Sequence, residues 1–159
     1  MNKVIAICGK IASGKTYHAR RIMEETGAVL LSEDEVLKDI FPELSPKDRG
    51  ETVKRIEQYL LKKAAEIVKE GCDVILDWGF WKKEERAAIT RYFQNRDIHI
   101  EWHYIEVSDD IWLEHIRKRN NMEDHEESFY LDNEIIKRAA EQFEVPDESE
   151  QVIRYRLSV

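Results

Sequence analysis

Residues 9–16 read GKIASGKT, and this segment constrains the chain more than any other. It matches the pattern G-x-x-x-x-G-K-[ST], with Gly9 and Gly14 at the glycine positions, followed by Lys15 and Thr16. An apolar, β-branched stretch precedes it and a helical pattern follows. A glycine-bounded turn between a strand and a helix lets backbone N–H groups surround an anion, and the helix N-terminus adds partial positive charge. The segment therefore predicts a loop that binds nucleotide phosphates.

The same loop predicts specific ligands. Lys15 is expected to reach the β- and γ-phosphates of ATP, and the Thr16 hydroxyl is expected to bind Mg²⁺. We expect every residue of the loop to contact the nucleotide, namely Gly9, Lys10, Ile11, Ala12, Ser13, Gly14, Lys15 and Thr16.

Strand and helix patterns alternate along the chain, which predicts an α/β fold. Strands linked by helices imply a parallel sheet with right-handed crossovers, and ligands bind at the carboxyl ends of such strands. The predicted strands cover residues 3–8, 28–31, 72–76, 98–107 and 151–157. The predicted helices cover residues 16–25, 33–41, 82–95, 109–119 and 133–143, together with one that opens at Ser45-Pro46 and ends at Gly71.

The composition suits one acidic domain, residues 1–159. The chain is 42% hydrophobic, and 25 Lys and Arg against 33 Asp and Glu give a net charge of −8. This balance disfavours a broad nucleic-acid or anionic-membrane surface. No apolar run approaches the roughly 18 residues of a membrane span. Cys8 and Cys72 form no metal-type cluster, so we interpret both as reduced, strand-associated thiols of a cytoplasmic protein.

Asp77 directly follows the apolar run of the third predicted strand. A carboxylate at that edge would hold a metal through water, orient a nucleophile, or simply cap a turn. Trp78 and Phe80 are predicted to wall a substrate pocket, with core packing as the alternative for such aromatic residues. Arg86, on the next helix, is a further candidate for acceptor contacts.

A carboxylate cluster, Ser32-Glu33-Asp34-Glu35, follows the second predicted strand. A phosphotransferase needs one acid near the γ-phosphate to orient the acceptor hydroxyl and take its proton. Helix capping by Ser32 and the favourable dipole interaction of acidic residues in a first turn explain the same cluster without any ligand. The residues alone leave both interpretations open.

Three cations, His115, Arg117 and Arg119, lie on the helix before a polar stretch. We predict a lid over roughly residues 115–133 that brings positive charge onto the transferring phosphoryl group and excludes water. The alternative is a solvated helix whose C-terminal cations are favoured by the helix dipole.

The chain resembles the small phosphate-loop kinases related to zeta toxin, chloramphenicol phosphotransferase and the 5′-kinase domain of polynucleotide kinase. Within that clan it resembles the short bacterial AAA-type ATP-binding proteins more closely than these three. The resemblance rests on the segments GKIASGKT, LLSEDEVLKDIF, VILDWGFWKKEER, RKRN and QFEVPDESE. It implies a three-layer fold, with a five-stranded, mainly parallel sheet between helices, and a helical lid.

The resemblance also implies ATP-dependent phosphorylation of a hydroxyl group. Asp34 falls on the acceptor-activating aspartate of the clan, and Arg119 falls on its second lid arginine. The first lid arginine falls on His115, so Arg117 is an alternative for its function. Glu144 and Asp147 match the closing motif.

The sequence therefore predicts a kinase that phosphorylates a small-molecule hydroxyl, with Lys15, Asp34, Arg117 and Arg119 in catalysis. Two alternatives remain from the residues: a regulatory module that binds and slowly hydrolyses ATP, and a nucleic-acid 5′-hydroxyl kinase. The second would need a basic channel, for which the acidic balance gives little support.

Overall fold

The alternating pattern folds into five strands and six α-helices in a computed structural model that describes residues 1–121 and 132–156. The strands are β1 (Lys3–Cys8), β2 (Val29–Ser32), β3 (Val74–Asp77), β4 (His99–Glu106) and β5 (Ile153–Arg156). The α-helices are α1 (Lys15–Thr26), α2 (Glu33–Ile40), α3 (Gly50–Lys69), α4 (Lys83–Gln94), α5 (Asp109–Asn121) and α6 (Asn133–Gln142). Short 3₁₀ helices cover Pro46–Asp48 and Glu148–Glu150.

The strands form one sheet in the order β2-β3-β1-β4-β5, and every neighbouring pair is parallel. This confirms the predicted α/β class and the five-stranded parallel sheet. The register pairs Asp77 with Ile7 of β1 and with Ser32 of β2. Because the strands run the same way, their carboxyl ends and the loops that follow them meet at one edge.

Both faces of the sheet are covered, which explains why the central strands are nearly all apolar. One cluster packs alternate residues of β1 and β3 against α2, α3 and α4, with Val4, Leu60 and Phe93 among its buried members. A smaller cluster packs the other face against α1 through Ala19 and Ile22. The predicted three-layer arrangement is thus confirmed. None of the described helices is both long and apolar enough to cross a membrane.

Two local predictions differ from the structure. The helix expected to open at Ser45-Pro46 is interrupted, because the Ser45 hydroxyl donates to Asp48 (2.7 Å) in a separate 3₁₀ turn and α3 begins at Gly50. Cys72 is exposed and precedes β3, so it is not strand-associated, whereas Cys8 is buried in β1. Of the predicted lid, residues 115–121 belong to α5 and residue 133 begins α6, while residues 122–131 lie outside the described residues.

Candidate phosphate site

The loop after β1 turns tightly because two glycines permit it. A Cβ atom at Gly9 would lie 2.8 Å from the Ser13 Oγ and 3.1 Å from the Ile105 carbonyl oxygen, so a larger residue would clash. Gly14 has a φ of 106°, in the left-handed region that favours glycine, and it ends the loop at the first residue of α1. The close contacts at Gly9 and the positive φ of Gly14 explain why glycine occupies these two positions of the motif.

The end of this loop suits a polyanion. Helix α1 begins without a side-chain cap and without an acidic residue in its first turn, so its first N–H groups keep their partial positive charge. The Ser13 hydroxyl is fully buried and has no hydrogen-bond partner among the described residues. A bound phosphate would satisfy both sets of donors, and the residues therefore fit the phosphates of a nucleotide.

Lys15 lies inside this loop. Its ammonium donates to the carbonyl oxygens of Gly9 (3.2 Å) and Lys10 (3.1 Å). Burial lowers its pKa and the positive charge of Arg119 lowers it further, while Asp77 and Asp34 act in the opposite direction. A desolvated ammonium is a strong electrostatic partner for a phosphate.

Thr16 and Asp77 contact each other at the edge of the sheet. The Thr16 hydroxyl donates to Asp77 Oδ2 at 3.0 Å. Burial raises the pKa of Asp77, and Lys15 and this hydrogen bond oppose the rise. No group of three His, Cys, Asp or Glu side chains in residues 1–121 and 132–156 is arranged to hold a metal. The oxygens of Thr16 and Asp77 instead suit Mg²⁺ that is held mostly by phosphates and water.

Asp34 and Arg119 join the same site from different elements. Asp34 is exposed in the first turn of α2, two residues past the end of β2. Its charge acts on Lys15, Asp77 and Arg119. Burial lowers the pKa of Arg119, and Asp34 opposes that effect. Four residues that the sequence singled out thus share one electrostatic environment around the phosphate loop.

A second group of carboxylates lies beside Asp34 and was not predicted. Burial, a hydrogen bond to Glu57 and the charges of Glu57, Asp34 and Glu85 raise the pKa of Glu33 to about 10. Glu33 is therefore a neutral acid at pH 7, next to an aspartate in the same helical turn. The sequence assigned Glu33 to the helix dipole, because its partners lie on α3 and α4 and no local pattern connects them.

The three predicted lid cations have different surroundings. Arg117 is 70% exposed and pairs with Glu114 at 3.3 Å, so it lies on the solvent side of α5. The His115 Nδ1 donates to the Ala12 carbonyl oxygen at 3.0 Å. Arg119 is the member of the group that is coupled to Asp34 and Lys15. The structure therefore does not support a catalytic position for Arg117.

The predicted acceptor pocket needs a correction. Phe80 is 1% exposed and Arg86 is 2% exposed, so neither side chain has a surface to offer a ligand. The Arg86 guanidinium donates to the carbonyl oxygens of Phe80 and Glu144 and to both carboxylate oxygens of Glu150. Arg86 is a structural cation. Trp78 is 5% exposed, but its buried indole N–H has no partner within the described residues.

The parallel sheet in the order β2-β3-β1-β4-β5 and the glycine-bounded loop after β1 define an α/β protein with a candidate phosphate site at the carboxyl edge of its sheet. A model of the AAA domain family AAA_33 matches residues 4–146, and the chain belongs to this family. A search of the curated proteins finds no match.

Solved structures share this fold at low sequence identity. A sugar kinase from Janibacter sp. HTCC2649, in an unliganded structure, is 15% identical with a TM-score of 0.67 and covers 98% of this chain and 86% of its own. The APS kinase of Mycobacterium tuberculosis, in complex with AMPPNP and APS, is 17% identical with a TM-score of 0.63, covering 98% and 88%. A chain of the Pnkp1/Rnl/Hen1 RNA repair complex is 17% identical with a TM-score of 0.69, covering 89% and 43%.

Proposed function

We propose that this chain is a single-domain, cytoplasmic kinase that transfers the γ-phosphoryl group of ATP to a hydroxyl group of a small molecule. One observation carries the proposal: Asp34, Lys15, Asp77 and Arg119 come from four elements and act electrostatically on one another around the phosphate loop. Phosphoryl transfer depends mainly on positioning and on charge stabilisation, and this set supplies both.

Each residue of the site has a function that follows from its chemistry. The backbone N–H groups of residues 9–16 bind the phosphates of ATP, and Lys15 and Arg119 offset the charge that grows on the γ-phosphoryl group. Mg²⁺, when bound at Thr16 and Asp77, neutralises phosphate charge. The exposed carboxylate of Asp34 orients the acceptor hydroxyl.

The transfer balances without any further reactant. The acceptor oxygen forms a bond to the γ-phosphorus, and the bond from that phosphorus to the β,γ-bridging oxygen breaks, which releases ADP. The hydroxyl proton passes to Asp34. The buried indole N–H of Trp78 is available to an acceptor oxygen if a ligand reaches it.

A screen of acceptors tests the proposal. Purified protein is incubated with Mg²⁺ and γ-labelled ATP against sugars, nucleosides, amino alcohols and hydroxylated antibiotics, and label transfer to each is measured. We expect transfer to at least one small hydroxyl compound, at a rate well above ATP hydrolysis in its absence. A Lys15→Met variant should lose this transfer.

The same experiment separates two other functions. Hydrolysis of ATP with no transfer to any acceptor would favour a regulatory module. Transfer to the 5′-hydroxyl of an oligonucleotide, with affinity that falls steeply with salt, would favour a nucleic-acid kinase. The net charge of −8 disfavours the nucleic-acid function.

A further inference from the structure

Helix α5 contacts the phosphate loop at two consecutive carbonyl groups. The Trp112 indole Nε1 donates to the Ile11 carbonyl oxygen at 2.7 Å, and His115 Nδ1 donates to the Ala12 carbonyl oxygen at 3.0 Å. Because a carbonyl only accepts, His115 carries its proton on Nδ1. Ile11 and Ala12 occupy variable positions of the G-x-x-x-x-G-K-[ST] pattern, so the motif itself does not require a hydrogen bond to their carbonyl groups.

Apolar packing and a cation strengthen the same contact. Ile11 and Ala12 pack against a buried cluster that contains Trp112 and Ile116. The Lys10 ammonium lies 4.6 Å from the centre of the Trp112 ring. Three successive loop residues therefore lie against one face of α5.

Ala12 has an uncommon backbone conformation that needs such support. Its φ is 61°, in the left-handed region where a residue with a Cβ pays about 1 kcal/mol or more. In a trans peptide the C=O and N–H groups point in opposite directions. When α5 holds the carbonyls of Ile11 and Ala12, it directs the N–H groups of Ala12 and Ser13 away from itself. The Ser13 N–H accordingly donates to the Lys10 carbonyl at 3.1 Å, which closes the turn.

We propose that His115 is a positioning residue rather than a phosphate-binding cation. Together with Trp112, it fixes the backbone of the phosphate loop. The same contacts fix α5 relative to that loop and therefore fix the position of Arg119. Trp112, His115 and Arg119 are spaced by three and four residues, so they share one face of the helix. Arg119 thus stands one turn beyond a contact that is already anchored. The inference rests on the proposed function for the role of Arg119 but not for the loop contact itself.

Substitutions at His115 distinguish a residue that positions the phosphate loop, which we call a brace, from a cation that binds phosphate. Asn places an amide nitrogen on the same γ-branch as Nδ1 and keeps the donor, whereas Arg keeps a positive charge and loses that donor geometry. For a brace, His115→Asn should keep kcat/KM within about threefold of wild type, and His115→Ala and His115→Arg should lower it about tenfold or more. The reverse order, with Arg active and Asn inactive, would overturn the inference.

A double substitution tests whether His115 acts through Arg119. If it does, adding His115→Ala to Arg119→Ala should cause little further loss of kcat, because the group being positioned is already gone. Independent, multiplying losses would overturn the part of the proposal in which His115 positions Arg119, and the loop contact is tested separately below. Lys118→Ala is the matched control, since Lys118 is 72% exposed on the same helix and its loss should leave kcat unchanged.

Hydrogen exchange tests the loop contact without any nucleotide. In the nucleotide-free protein, His115→Ala should speed exchange of the backbone amides in residues 9–16 about fivefold or more, while His115→Asn should not. Trp112→Phe, which removes the indole N–H and reduces the apolar packing against Ile11 and Ala12, should also speed exchange if the contact acts as a brace. Unchanged exchange in both His115→Ala and Trp112→Phe would refute the brace even if the protein is an active kinase. Failure of wild type to bind ATP would instead refute the proposed function.

Discussion

Neighbouring carboxylates in the first turn of α2 have opposite surroundings. Burial, then a hydrogen bond to Glu57 and the charges of neighbouring carboxylates, raise the pKa of Glu33 to about 10, whereas Asp34 is exposed and interacts electrostatically with Lys15 and Arg119. A general base must be ionised and must reach its substrate. Asp34 offers an exposed side chain to a substrate, whereas the raised pKa of Glu33 keeps that side chain protonated at pH 7, although the sequence cannot separate the two adjacent acids.

Asp34→Asn should therefore keep Mg·ATP affinity and lose phosphoryl transfer. The loss of a general base costs about 10²–10⁴ in kcat, while the phosphate loop is untouched. Calorimetry gives the affinity and label transfer gives the rate. Glu35→Gln is the matched control, an exposed acid of the same turn that should retain turnover. Unchanged kcat in Asp34→Asn would contradict the assigned role of Asp34.

A chain of hydrogen bonds joins two buried histidines under α1. Arg21 Nη2 lies 3.3 Å from His18 Nδ1, His18 Nε2 lies 2.9 Å from His103 Nδ1, and His103 Nε2 lies 2.6 Å from Glu101. Since Arg21 only donates and Glu101 accepts, both rings are neutral and the proton positions are fixed. Burial and the charges of His103 and Arg21 lower the pKa of His18 to about 4.

Acid should therefore destabilise the protein through His18. Its pKa in the folded state lies below the unfolded value near 6.5, so the unfolded chain binds more protons between these values and stability falls as pH drops from about 6.5 to 4. His18→Gln cannot titrate, and we expect a shallower fall of Tm across this window. His99→Gln, at an exposed position, should match wild type. Equal slopes in wild type and His18→Gln would contradict this explanation.

The segment between α6 and β5 acts as a clamp on the loop after β3. The Glu144 N–H donates to the Trp81 carbonyl at 2.7 Å, and the Glu144 carboxylate accepts from the Lys83 N–H at 2.8 Å. Asp147 pairs with the Lys83 side chain, and Glu150 pairs with Arg86 at 2.7 Å. These contacts give the closing motif of the sequence a physical role: it fixes the loop that follows Asp77.

Arg86→Met should destabilise the fold because it removes a charge that is buried rather than one at the surface. It leaves Glu150 and two backbone carbonyls without their buried donor, and breaking a buried pair costs about 3–5 kcal/mol. Chemical denaturation gives the free energy of unfolding. Arg91→Met is the control, an exposed arginine of α4 that should change the free energy by less than about 0.5 kcal/mol. A loss below 1 kcal/mol in Arg86→Met would show that the clamp adds little.

Local patterns predicted the elements well, and long-range contacts account for the errors. Apolar strands and 3.6-residue periodicity locate every strand and helix to within a few residues. Arg86 was misassigned because its partners lie 58 and 64 residues away, and a lone arginine on a helix carries no local sign of burial. The contact of His115 with the phosphate loop was not predicted because its acceptor is a backbone carbonyl 103 residues away.

At the scale of the molecule, the parallel sheet explains why the site forms where it does. Its order places β1 beside β3, so Asp77 ends the strand next to the one that leads into the phosphate loop, and Asp34 follows β2, the strand beyond β3. The sequence predicted this edge from the strand–helix alternation and predicted Lys15, Thr16, Asp34 and Asp77 at it. The sequence did not predict that Glu57 of α3 and Glu85 of α4 act on Glu33, since only the packing of the helices on the sheet brings these carboxylates together.

Calorimetric titration of Mg·ATP into wild type and Lys15→Met tests the central claim most directly, because both the kinase proposal and the role of α5 require a loop that binds phosphates. We predict saturable binding to wild type and a loss of affinity of about tenfold or more in Lys15→Met, whose buried ammonium is gone. Lys69→Met, an exposed change at the end of α3, should bind like wild type. Absence of binding heat at millimolar Mg·ATP, together with an unchanged Tm, would contradict the account.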